Sequence, residues 1–222
     1  TLQGAIDYAA KKGGSVKLVR DVNASEIITI AGSVTINGNG FTLTSTASRA
    51  INIDTTGTVE IKNLTVKAGE RAFNIINKAS TVVIDNVTAT ANNNAVMIAT
   101  TAGAAKVTIN NSNLTGLAVV NVAGAGAQVA INDTNIINVD ASSAENYGAI
   151  TVWTSAENAA VTVSGGTITV ADDSLKAYVF PATATVTGVD QVGYIVAIVG
   201  DAGFETLQGA IDYAAKKGGS VK

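Results

Sequence analysis

One pattern constrains the fold of this chain more than any other. A triplet of the form apolar-x-apolar, closed by a turn residue, returns at near-constant spacing. It reads Val34-Thr-Ile36 with Gly38, Val59-Glu-Ile61 with Asn63, Val82-Val-Ile84 with Asn86, Val107-Thr-Ile109 with Asn111, Val129-Ala-Ile131 with Asp133, and Val161-Thr-Val163 with Gly165. The successive offsets are 25, 23, 25, 22 and 32 residues. A second strand-like stretch follows each triplet: Ala50–Ile53, Ala72–Ile75, Ala95–Ile98, Ala118–Val122, Ala149–Val152 and Ala177–Phe180. Two interleaved series share one period.

A period of about 22 to 25 residues built from short alternating strands is what one coil of a β-solenoid requires, because a single coil cannot bury its apolar face without neighbours. Stacking at about 4.8 Å per coil pairs each strand with its counterparts above and below. It would align Ile61, Ile84, Ile109 and Ile131 into a buried row, and Gly38, Asn63, Asn86, Asn111, Asp133 and Gly165 into one turn column. Asparagine suits such a column, since it tolerates left-handed backbone and its amide can bond the next copy. The predicted fold class is therefore all-β, a right-handed parallel β-helix over residues 15–199, with about seven coils and a length of roughly 35 Å. A meander of hairpins would place turns every 8 to 12 residues or so without keeping this register. An immunoglobulin-like sandwich, the competing architecture, would need strands of alternating direction and about 100 residues per domain. Leucine-rich repeats need a recurring helix or turn that the period does not supply.

A longer repeat overlies the short one. Residues Thr1–Lys17 recur without a change as Thr206–Lys222, a separation of 205. Residues 1–205 are thus expected to form one repeat unit and 206–222 the start of the next, identical one. The repeated segment predicts a short helix over residues 1–12, capped by Thr1 or Thr206, with Leu2, Ala5, Ile6, Ala9 and Ala10 on its apolar face and Gly13-Gly14 as its stop. A parallel solenoid has open ends whose unpaired backbone invites association, and a helix laid across an end covers them. Leu2, Ile6, Leu207 and Ile211 are accordingly expected to form a capping helix at each unit junction. The expected partners are adjacent identical units, in tandem or end to end.

Composition removes several classes of function. The chain holds 222 residues with 47% apolar content, enough for a packed core, and 14 basic against 17 acidic side chains. A net charge of −3 offers no field for nucleic acid or anionic lipid. The longest unbroken apolar run, Tyr194–Val199, is too short to insert in a bilayer. With no Cys and no His there is no disulfide, no thiolate or imidazole metal site, and no Ser-His-Asp or Cys-His arrangement. No cofactor, metal or catalytic residue is expected.

Some features could still carry chemistry. Glycoside hydrolysis needs two carboxylates facing each other, and the candidates are Asp172-Asp173, with Asp140 and Glu145 in the stretched coil. Adjacent strand residues point to opposite faces, so Asp172-Asp173 reads as a solvated turn. None of the three arginines, Arg20, Arg49 and Arg71, lies near that pair in sequence. The insertion Asp140–Tyr147, with Glu145 inside it, is a candidate binding loop, and Tyr147 and Trp153 could supply an aromatic platform for host or cell-surface glycans. The other reading is a tolerated insertion with Trp153 packed beneath it. Asn37-Gly-Asn39-Gly40 lacks the acidic ligands calcium prefers and reads as a turn. The pairs Thr42/Thr44, Thr88/Thr90 and Thr167/Thr169 skip coils, which argues against a flat ice-binding lattice. Five Asn-x-Ser/Thr matches, beginning at Asn23, Asn63, Asn86, Asn113 and Asn132, fall mostly in the turn column and need no glycosylation to explain them.

The stretch from Tyr194-Ile-Val-Ala-Ile198 through Thr206-Leu-Gln-Gly-Ala-Ile-Asp-Tyr-Ala-Ala215 and Gly218-Gly219, read on into Val16–Asp21, Ile28–Ile30 and Val34–Leu43, resembles a recurrent module of large bacterial and archaeal surface proteins. In that module a short helix, a Gly-Gly stop, a leading strand and an Asn-Gly-Asn-Gly turn open a pectin-lyase-like right-handed β-helix. The resemblance is specific over roughly 60 residues and pattern-level over the remaining coils. It implies a secreted protein of the extracellular cell surface, adhesin-like, S-layer-like or filamentous. The lyases' catalytic residues have no counterpart here, so their activity is not carried over. The absence of Cys fits such surface repeats. The function expected is structural: a stiff stalk, fibre or surface layer made by stacking identical units. The alternative is a carbohydrate- or receptor-binding module using the loop 140–147, and a third reading is a polysaccharide-cleaving enzyme.

Overall fold

The computed structural model describes residues 1–139, 147–170, 176–188, 197–199, 202–204 and 207–218. Helix α1 (Leu2–Lys12) is followed by a parallel β-solenoid of about seven turns. One sheet runs the length of the solenoid through Ser15–Lys17, Val34–Asn37, Thr58–Ala68, Thr81–Ala91, Lys106–Asn110, Gln128–Asn138, Ala160–Val170 and Thr185–Thr187. A second, seven-stranded sheet stacks Ile28–Ile30, Arg49–Ile53, Arg71–Ile75, Asn94–Ile98, Val120–Val122, Gly148–Val152 and Lys176–Val179. Every pairing in both sheets is parallel, as the spacing predicts. Beyond the solenoid, Ala197–Val199 pairs antiparallel with Ala202–Phe204, and helix α2 (Leu207–Lys217) follows.

The register matches the sequence pattern residue by residue. Val34, Val59, Val82, Val107, Val129, Val161 and Val186 stand in one column. Ile36, Ile61, Ile84, Ile109, Ile131 and Val163 stand in the next buried one. The second sheet stacks Ile28, Ile51, Phe73, Val96, Val120, Ile150 and Tyr178. Through Ile150 these rows face inward and form a single continuous core.

The corner within each long strand depends on one residue. Asn63, Asn86, Asn111 and Asp133 have φ of 52°, 50°, 50° and 46°, and Gly165 has 70°. Burial along an extended strand alternates with period two. Here the alternation slips by one at each left-handed residue. Val59 and Ile61 are buried before Asn63, and Leu64 and Val66 after it. The same slip separates Val82 and Ile84 from Val87 and Ala89 around Asn86, and Val129 and Ile131 from Thr134 and Ile136 around Asp133. A strand that bent without the slip would turn its second apolar set to solvent.

Gly38 departs from that rule. It stands opposite Asn63, its N–H donating to the Lys62 carbonyl at 2.8 Å, but the left-handed residues of its corner are Asn39 and Gly40. Glycine is required at 38 by close approach instead, because a Cβ there would lie 2.5 Å from the Asn63 carbonyl oxygen. Amides also link the coils. Asn86 Nδ2 donates to Asn63 Oδ1 at 2.8 Å, Asn111 Nδ2 to Asp85 Oδ1 at 2.9 Å, and Asn132 Nδ2 to Asn110 Oδ1 at 2.8 Å. Inside the corner, Leu64 and Val87 give way to Ser112 and Thr134. Val87 N–H donates to Ser112 Oγ at 3.1 Å and Ser112 N–H to Thr134 Oγ1 at 3.3 Å, so the buried hydroxyls satisfy backbone groups that the bend leaves unpaired.

Helix α1 closes the first coil. Thr1 Oγ1 accepts from Gly4 N–H, and Gly13 ends the helix in the left-handed conformation. Ile6 is 1% exposed and Ala9 5%, while Leu2 is half-buried against the same core. Gln3 completes the seal. Its Nε2 donates to the Thr29 carbonyl and its Oε1 accepts from Thr29 N–H, both at 2.8 Å, so one side-chain amide pairs with the free edge of the second sheet as a neighbouring strand would.

The corner can be tested directly. Asn86→Val places a β-branched residue at positive φ and is expected to cost about 1–3 kcal/mol of unfolding free energy. Asn86→Gly, which keeps the conformation and loses only the exposed amide bond, should cost about 1 kcal/mol or less. Urea denaturation of the two variants checks the order.

Candidate functional site

The outer surface of the seven-stranded sheet is the most elaborated part of the solenoid. Its outward positions are Asn52, Asn74, Met97, Asn121 and Thr151 on successive coils. A solvent-facing sheet would leave such residues exposed. Yet Asn74 is buried, Asn121 is 4% exposed and Thr151 2%.

At one end the cover is aromatic. Trp153 leaves the strand Gly148–Val152 and folds back so that its indole Nε1–H donates to Asn121 Oδ1. Tyr147, just before the same strand, meets Trp153 edge-on with ring centroids 5.8 Å apart. Trp153 remains 41% exposed, so the pair forms a held aromatic surface with one face in water. This unites two of the residues expected to serve the binding loop. Asp140 and Glu145, and the acidic pair Asp172-Asp173, lie outside the described residues.

At the other end the sheet carries a repeated pentapeptide, Arg49-Ala-Ile-Asn-Ile53 and Arg71-Ala-Phe-Asn-Ile75. Arg49 pairs in register with Arg71 and Asn52 with Asn74. Asn74 Nδ2 donates to Asn52 Oδ1 at 2.9 Å, and Arg71 Nη1 to Asn74 Oδ1 at 3.4 Å. Burial, and then the adjacent charge of Arg49, push the Arg71 guanidinium below its ordinary value, against the opposing pull of Glu70. Sequence reading passed over this cluster, although the Arg-Ala-x-Asn-Ile recurrence on consecutive coils is a signal for it.

A shallow groove of about 390 Å³ lies on the other sheet, lined in part by Gly13, Gly14, Ser33, Thr35, Thr58 and Glu60. Lys62 Nζ donates to Glu60 Oε1 at 2.9 Å and Thr35 Oγ1 to Glu60 Oε2 at 3.1 Å. The Lys62 hydrogen bond holds the Glu60 carboxyl below its ordinary 4.5, outweighing its slight burial. Among the described residues no group of three or more Asp or Glu side chains is placed to hold a metal ion, and no helix is long and apolar enough to cross a membrane.

The remaining expected residues fall as follows. Leu2 and Ile6 lie in the cap over the first coil, whereas Ile211, the counterpart of Ile6, is 44% exposed in α2, which contains Leu207. The threonines form fuller columns than their sequence spacing suggests. Thr42, Thr65 and Thr88 are consecutive, followed by Asn113, Asn135 and Thr167. Lys67 and Ile137 interrupt the adjacent column of Thr44, Thr90, Thr115 and Thr169. Compared with family models, with curated proteins and with solved structures, the chain matches none of them significantly.

Trp153→Phe keeps the ring and leaves the Asn121 oxygen buried without its donor. A loss of about 1–3 kcal/mol is expected, read by thermal unfolding followed by circular dichroism. Glu60 supplies a pH signature. Its folded pKa is depressed, so the stability it adds is present above about pH 4.5 and lost as pH falls through the lower folded value. The difference in urea midpoint between the wild type and Glu60→Gln should shrink across that window.

Proposed function

We propose that this chain supplies a repeating structural unit of an extracellular stalk, fibre or surface layer, in which identical solenoids stack end to end. The observation that carries this reading is the exact recurrence of Thr1–Lys17 as Thr206–Lys222, with the same seventeen side chains in two surroundings. In the first copy Ile6 is 1% exposed and Gln3 grips Thr29. In the second, Ile211 is 44% exposed and the exposed Gln208 bonds Asp212 within its own helix, at 2.8 Å. Helix α2 thus carries the surface that α1 uses to cover a coil, and a following unit beginning with an Ile28-Thr29-Ile30-like strand would occupy it. The partner is then the first coil of the next unit, and the junction helix serves as floor for one rod and lid for the other.

A second reading, a glycan- or receptor-binding module beside the insertion 140–147, draws support from the Tyr147–Trp153 pair and its exposed indole. Enzymatic cleavage of polysaccharide has no such support among the described residues.

The stacking reading is tested by substituting the two equivalent isoleucines. Ile6→Ala should destabilise the chain by about 2–5 kcal/mol, whereas Ile211→Ala should leave it nearly unchanged. In a chain extended by a second full unit, Ile211→Ala should become as costly as Ile6→Ala. The maximum dimension from small-angle scattering should grow by roughly 35 Å, the length of seven coils. A compact, side-by-side particle, with Ile211→Ala still silent, overturns the stacking.

A further inference from the structure

We propose that Arg49 and Arg71 form a receptor for an oxyanion, a carboxylate, phosphate or sulfate group, on the outer face of the seven-stranded sheet. This goes beyond the stacking reading and does not rest on it. The chain has only three arginines, at 20, 49 and 71, and two of them face each other in register on adjacent coils. The Nε of each is buried and has no hydrogen-bond partner. Among the described residues the one salt bridge is Lys62–Glu60, so neither guanidinium is neutralised by a carboxylate. Glu70 is exposed, and although its charge favours the cationic form of Arg71 it forms no ion pair with it.

Two like charges directly opposite on neighbouring strands are unfavourable, and so is a buried donor without an acceptor. A structural role as cover for the sheet explains neither, because a methionine or a single arginine would cover it as well. An oxyanion between the two side chains relieves both at once. Strands about 4.8 Å apart bring two planar forks to the same ligand, and the guanidinium fork is matched to carboxylate, phosphate and sulfate oxygens. The amide ladder supplies orientation. Asn74 Nδ2 is committed to Asn52, which leaves Asn74 Oδ1 turned toward Arg71 Nη1 and fixes that guanidinium while its remaining donors stay available.

The experiment is a nuclear magnetic resonance titration of the whole chain labelled with ¹⁵N-arginine, which gives one Nε–H signal for each of its three arginines. On addition of sodium sulfate or sodium phosphate, the Arg49 and Arg71 signals should move together and saturate at millimolar anion, while Arg20 stays put. Arg71→Lys keeps the charge but loses the fork, and should weaken binding about tenfold. Should that variant fail to fold, the wild-type titration remains decisive. Dextran sulfate and alginate are titrated in parallel. Saturation at a lower concentration of charged groups than inorganic sulfate requires identifies a polymer-borne anion as the ligand, and equal or weaker response identifies the free ion. The proposal is overturned when no anion gives a saturable shift, or when all three arginine signals drift together with salt.

Discussion

Parallel hydrogen bonding between successive coils is the interaction on which everything else in this molecule depends. It sets one spacing for the whole chain, and that spacing makes like residues neighbours. Valine lies on valine and isoleucine on isoleucine along the first sheet, and asparagine bonds to asparagine or aspartate at the corners. Small and β-branched residues suit this arrangement, because each coil must present the same cross-section to the next. The same constraint brings Arg49 against Arg71, a contact that an antiparallel fold would have no reason to create.

Such a lattice has two ends, and the chain treats them with one sequence. At the first coil, Gln3 replaces the missing strand with a side-chain amide and Ile6 replaces the missing layer of core. The repeated helix near the other end keeps this equipment while Ile211 faces solvent. A helix that fits both as a lid and as an unengaged surface is a natural joint between like units, and this is why stacking explains the duplicated segment economically.

The solenoid was legible because the apolar columns are written in the sequence at the spacing of the coils. Val59-Glu-Ile61 and its counterparts announce both the strand and its buried face. The corner was only partly legible. Asparagine at 63, 86 and 111 does adopt left-handed backbone, but Gly38 is there because of the Asn63 carbonyl, a contact between coils that no local pattern reveals. Similarly, Trp153 could be recognised as an aromatic candidate, whereas its hydrogen bond to Asn121 spans 32 residues and needed the register of the second sheet. The arginine pair was hidden for the opposite reason: a search for acid–base partners looks for opposite charges, and here the informative feature is two like charges with nothing between them.

The left-handed corner has one further implication. From Thr58 onward each coil keeps its two strand segments in fixed register across that corner, while the chain between the first sheet and the second ranges from residues 69–70 in one coil to 139–147 in another. Bending and elaboration are thus assigned to different edges of the same prism. Insertions can accumulate, diverge or be exchanged along the slack edge without disturbing the stack, so a protein of this design can vary what it displays to its surroundings while its backbone architecture stays constant.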